Sequence, residues 1–161
     1  MTIASIEERL ERARTFAAKG NLVVVRDDGE FLILPALAKS AARPGNVAAV
    51  ERMMPSTVKR NVAVIGDTSW AIDRHRSVQT ANMAIPFFGL LMGLSCIGHS
   101  VWVFHGTANM LSAGCRGADV LIVDSALVVE LPDNWQVEAK KTMRHPQILI
   151  HDRATYKLQS A

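Results

Sequence analysis

The sequence predicts an α/β fold: a three-layer α/β/α sandwich around a mainly parallel sheet, preceded by an N-terminal helix and a β-hairpin. Three observations predict it. Four short apolar runs rich in β-branched residues recur after residue 60, at 62–65 (Val-Ala-Val-Ile), 101–104 (Val-Trp-Val-Phe), 120–123 (Val-Leu-Ile-Val) and 148–150 (Ile-Leu-Ile). Runs that are apolar on both faces belong to strands covered on both faces. Stretches of helical character separate them, and strand–helix alternation is the pattern of a parallel sheet with crossover connections. Finally, residues 77–115 contain no Asp, Glu, Lys or Arg, a 39-residue block that only a deep interior accommodates.

The elements follow in chain order. Ser5-x-x-Glu8 is a capping-box pattern, in which hydroxyl and carboxylate each satisfy a free N–H at a helix start. Ile6, Leu10, Ala13 and Ala17 then recur at helical spacing as one apolar stripe, and Gly20 supplies the stop. Runs at 22–25 (Leu-Val-Val-Val) and 31–34 (Phe-Leu-Ile-Leu) flank Asp27-Asp28-Gly29, whose Asp-Gly step tolerates the positive φ angles of a tight reversal, so a hairpin is expected. Residues 39–46, with Arg43-Pro44-Gly45, read as a loop, and 47–54 as a short helix before Pro55. Residues 83–104 lack formal charge for 22 positions, yet Pro86 near the start and Gly98-His99-Ser100 near the end argue for a buried helix and a strand rather than a membrane span. Thr107 is placed to cap the next helix, and Asp133 another that reaches about Arg144 before Pro146 stops it.

Length and composition bound the rest. The chain has 161 residues, of which 49% are hydrophobic and 20% charged, which fits one domain (1–161) and excludes a mainly disordered chain. Within it, residues 1–60 form the helix-and-hairpin elaboration and 61–161 the core. The net charge of +3 lies in the first 60 residues, which hold 10 basic and 7 acidic groups. No Lys/Arg run or aromatic ladder accompanies it, so neither a nucleic-acid nor a membrane partner is expected. Cys96 and Cys115 stand apart in apolar surroundings and read as buried thiols. With no basic-then-apolar leader at the start, the reading is a protein of the reducing cytoplasm.

Gly98-His99-Ser100-Val101-Trp102-Val103-Phe104 resembles the turn and second strand of many Rossmann-like domains, and the predicted sandwich resembles that class. In dinucleotide binders such a strand often ends in an acid that holds ribose hydroxyls. His105 stands in that place here. Gly-x-x-x-x-Gly-Lys-Ser/Thr and Gly-x-Gly-x-x-Gly are both missing, so the resemblance implies the fold and names no cofactor.

Parallel strands all end on one rim, where loops can expose polar groups without burying unpaired ones. After the four runs stand Gly66-Asp67-Thr68-Ser69, His105-Gly106-Thr107, Asp124-Ser125 and His151-Asp152-Arg153. His105, His151 and Asp124 are the candidates for proton transfer, the carboxylate orienting an imidazole. Asp67, Thr68, Ser69, Arg74, Arg76, Thr107, Ser125 and Arg153 are the candidate ligand contacts: hydroxyls and carboxylates for hydroxyl groups, guanidinium forks for phosphate or carboxylate. The polar-rich segment from Thr68 to Asn82 is longer than the usual strand-to-helix loop and suggests a lid or an oligomer contact. Asp119, before its strand, is expected on the opposite rim and outside the site, and His99, in the turn before its strand, reads as a structural histidine. The expected function is binding of a small anionic ligand, a nucleotide or sugar phosphate. A noncatalytic homo-oligomeric assembly protein and a metal-assisted hydrolase using the same His and Asp residues are the alternatives, and no residue is assigned to a metal.

Overall fold

The computed structural model describes residues 6–25, 31–34, 44–66, 85–104, 110–152 and 158–161. Helix α1 (Ile6–Ala18) starts one residue after Ser5 and buries Leu10, Ala13 and Ala17, three positions of the stripe that its spacing predicts. Gly20 follows at φ 94°, a left-handed conformation that glycine adopts without a Cβ penalty. Its N–H donates to Ala17 O at 3.0 Å and closes the helix end. The chain then enters β1 (Leu22–Val25), which pairs antiparallel with β2 (Phe31–Leu34) as the expected hairpin; its turn lies outside the described residues.

After the hairpin come α2 (Pro44–Met53), β3 (Asn61–Ile65), α3 (Ile85–Cys96), β4 (Ser100–Phe104), α4 (Leu111–Cys115) and β5 (Val120–Asp124). A 3-10 helix (Ser125–Glu130), α5 (Trp135–Lys140), β6 (Gln147–His151) and β7 (Leu158–Ser160) complete the chain. The strands form a single sheet in the order β2-β1-β4-β3-β5-β6-β7. The four runs after residue 60 are all parallel, as predicted, and β2 and β7 lie antiparallel at the two edges. The strand β1 belongs with the parallel set, because it pairs with β4 from Leu22↔Val101 to Val25↔Phe104. Its unbroken Leu-Val-Val-Val is the same signal as the later runs, and all four residues are buried. This is an α/β fold of the Rossmann-like kind, and the N-terminal third supplies one of its parallel strands.

Alternate strand residues fall into two separate cores. Val23, Ala63, Ile65, Trp102, Phe104, Leu121 and Val123 pack with α1, α4 and α5, whereas Leu22, Val62, Val64, Val101, Val103, Val120 and Ile122 pack with α2 and α3. Each aliphatic side chain fully buried in this way contributes about 1.5–3 kcal/mol. In α3 the consecutive Leu90, Leu91 and Met92 are all buried, because α3 touches the sheet on one side and α2 on the other. That double covering accounts for the absence of charge within α3. Among the described residues no helix is long and apolar enough to cross a membrane.

Four local expectations are corrected. The loop at 39–46 gives way to helix at Pro44, where a missing N–H costs nothing in a first turn. Helix α4 starts at Leu111 with Met110 at its N-cap and no side-chain cap, so the capping role given to Thr107 does not apply; Thr107 itself lies outside the described residues. Asp133 does not cap α5, whose N-cap is Asn134, and the helix ends at Lys140 rather than near Arg144. The reason lies just downstream: Arg144 N–H donates to Ala118 O at 2.8 Å, and Thr142 O accepts from Gly117 N–H at 2.9 Å, so residues 142–144 leave the helix to tie down the start of β5. Finally, Cys115 is buried but Cys96 is only half-buried.

Candidate functional site

Strands β3 and β5 are parallel neighbours, and the strand that follows each in the chain lies on its far side, β4 beside β3 and β6 beside β5. From β3 the next described element is α3, packed in one core, and from β5 the chain passes through the 3-10 helix to α5, packed in the other. Such a switch in strand order opens a crevice at the carboxyl ends of the two strands, where open α/β sheets bind their ligands. The residues that reach it are set by where each strand stops.

Asp124 and His151, read from the sequence as the first residues beyond their strands, are the last residues within them. They are register partners, Asp124↔His151, so their Cα atoms sit about 4.8 Å apart and their side chains leave the same face. Both obey strand alternation: they continue the parity of Ile122 and Leu149, which belong to the core beneath α2 and α3. The two side chains are 1% and 2% exposed. Burying a carboxylate there requires hydrogen bonds to offset lost water, and Asp124 Oδ1 accepts from Ala126 N–H at 3.1 Å, capping the 3-10 helix. The adjacency of this acid and base, which spacing alone left open, is settled by the register.

The third element of the site was not singled out in the sequence. Phe87, in the first turn of α3, lies against His151 with ring centroids 5.2 Å apart and planes tilted by 60°. The same ring fills the place where a Cβ on Gly66 would sit, 2.8 Å from Phe87 Cε1. Gly66 N–H donates to Phe104 O at 3.3 Å and extends the β3–β4 ladder by one rung. The lack of a side chain at Gly66 therefore makes room for an aromatic ring. Phe87 is legible in the sequence only as one more apolar residue of a buried helix; its place next to Pro86, at the start of that helix, is the signal that could have marked it.

Ser125 opens the 3-10 helix and is half-buried beside Asp124, and Asp152 follows His151 at a half-buried position. Asp67, Thr68, Ser69, Arg74, Arg76, His105, Thr107 and Arg153 lie outside the described residues. Among the described residues no group of three or more His, Cys, Asp or Glu side chains is placed to hold a metal ion. Asp124 and His151 would supply two donors, and a third would have to come from the undescribed segments.

The opposite rim matches expectation. His99 is buried, with Nδ1 accepting from Arg60 N–H at 3.1 Å and Nε2 at 2.9 Å from Met54 O. A carbonyl only accepts, so Nε2 carries the proton and the ring bridges two backbone segments. Asp119 Oδ2 accepts from Asn61 N–H at 2.8 Å and joins the starts of β3 and β5. Comparison with protein families, curated proteins and solved structures finds no match.

Proposed function

We propose that the chain binds a small anionic ligand, a nucleotide or a sugar phosphate, at the carboxyl-end rim of β3, β5 and β6. One observation carries the proposal: a buried carboxylate and a buried imidazole stand in register at the switch point of the sheet. In this reading Asp124 accepts a hydrogen bond from a ligand hydroxyl, His151 donates to or takes a proton from the ligand, and Phe87 offers a flat apolar wall beside them. The anionic part is assigned to Arg74, Arg76 and Arg153, with Thr68, Ser69, Thr107 and Ser125 as neutral donors and His105 as a second imidazole. The test is a thermal-shift panel of nucleotides and sugar phosphates. A saturable shift with at least one of them is expected, abolished in His151→Ala and Asp124→Asn. A panel without a shift, or a shift that both variants retain, would sink the proposal.

The sheet edge favours a second reading. Strand β2 pairs with β1 on one side, and its sequence, Phe-Leu-Ile-Leu, carries no charge or proline to discourage a further strand. A homo-oligomer joined along β2 would cover that edge. Sedimentation equilibrium would then give a mass above the monomer that Ile33→Lys returns to one chain.

A further inference from the structure

A second concavity lies away from the carboxyl-end rim, between α1 and the end of α4. It encloses about 590 Å³, within the range of small-ligand sites. Glu7, Glu11 and Arg14 line one side; at spacings of four and three they share one face of α1. Arg116, Asn61 and the buried indole of Trp102 line the rest, and the indole N–H is already engaged by Gly114 O at 2.7 Å. Trp102, 1% exposed, therefore offers a ligand no free donor, and the charges belong to four side chains: two guanidinium groups and two carboxylates.

These charges are incompletely matched. Arg116 Nη2 meets Glu7 Oε1 at 3.1 Å, but both side chains are more than half exposed, and such a pair opens at little cost. Arg14 is different. It is half-buried, and one of its five N–H groups donates to the neutral Ala113 O at 2.9 Å. Burial lowers the Arg14 pKa from its usual value; the attraction of Glu11 offsets this only in part, and the nearby Arg116 adds to the lowering. A partly desolvated guanidinium with donors to spare calls for an anion, and the exposed Glu11 carboxylate one turn away is placed to meet a cation carried by the same ligand. Because the four charges sum to zero, a polyphosphate would meet Glu7 and Glu11 and a polyamine would meet both arginines.

The geometry points to a binding site for a small zwitterion of the α-amino acid class, its carboxylate on Arg14, its ammonium on Glu11 and its side chain toward Trp102. The site is independent of the proposal for the carboxyl-end rim. The probes are the standard L-amino acids at millimolar concentration, each with its decarboxylated amine and its deaminated acid, read by thermal shift and titration calorimetry. At least one amino acid binds saturably, while its amine and acid counterparts do not. Glu11→Gln, a change at an exposed position, weakens binding at least about tenfold, the loss expected for one charge-assisted hydrogen bond. Arg14→Gln does the same, and if that variant does not fold, Glu11→Gln decides alone. His151→Ala leaves this binding intact. The inference is overturned if no amino acid binds, if either single-charge counterpart binds as well as the zwitterion, if Glu11→Gln binds as tightly as the parent chain, or if His151→Ala abolishes the binding.

Discussion

Among the described residues each end of the sheet buries one aspartate and one histidine, and their surroundings differ. At the end where the strands begin, both side chains tie together backbone segments far apart in sequence: His99 joins Met54 and Arg60, and Asp119 joins the starts of β3 and β5. At the end where the strands stop, Asp124 caps the turn that directly follows it, and His151 lies under the aromatic ring of Phe87. The same two residue types therefore serve as struts at one rim and, in the proposed reading, as ligand contacts at the other.

The sharpest way to break this contrast is to remove the histidines in turn. His99→Ala strands a buried N–H on Arg60 and a buried carbonyl on Met54, and the two together cost about 2–4 kcal/mol. Urea denaturation measures the loss, and ligand affinity of the molecules that remain folded is unchanged. His151→Ala instead removes ligand affinity. If His99→Ala left the urea midpoint where it was, the strut assignment would fail.

A smaller effect sharpens the same comparison from the alkaline side. Cys115 closes α4 over the core shared with α1 and α5, and burial pushes its thiol up to about 12 from an ordinary 9.0. In the unfolded chain the thiol ionises above pH 9, while in the fold it keeps its proton, so unfolding releases a proton in this window. Stability therefore falls as pH rises from 9 toward 12, by about 1.4 kcal/mol per unit at most. Cys115→Ala flattens that slope. The slope belongs to the scaffold, so ligand affinity at the rim does not follow it over the same range.

Much of the architecture was legible because its signals are periodic. Unbroken β-branched runs gave the strands, and direction followed from the helices between them. Strand β1 was set apart from the core only because its hairpin turn drew attention from its own apolar run. Strand ends were harder: Asp124 and His151 look like loop residues by type, and only the pairing of β5 with β6 shows that the ladder extends through them. Phe87 could not be singled out for a related reason. A helix apolar on all sides has no periodicity to say which residue faces the rim, and the contact with His151 comes from tertiary packing. The helix end expected near Arg144 gives way where the Arg144 and His145 N–H groups donate to Ala118 O, and at the other end Asn134 takes the N-cap place expected for Asp133.

The smallest expected effect concerns how the strut at His99 is itself held. Met54, whose carbonyl meets His99, lies at the end of α2, and the turn after it is pinned by Glu51: its Oε1 accepts from Ser56 N–H at 2.8 Å and from Ser56 Oγ at 2.9 Å. The Ser56 N–H, then its hydroxyl, hold the Glu51 carboxyl below its usual 4.5. A depressed carboxyl stabilises the fold fully above the unfolded value and loses that contribution as pH falls through the folded one. A shallow loss of stability is thus expected below about pH 4.5, and Glu51→Gln, which keeps an acceptor for Ser56 and removes the titration, makes that limb shallower. Thermal melts between pH 3 and 6 compare the two chains. An acid limb unchanged in Glu51→Gln would place the titrating group elsewhere, whereas a change confined to that limb would show that the support beneath His99 extends to the surface of α2.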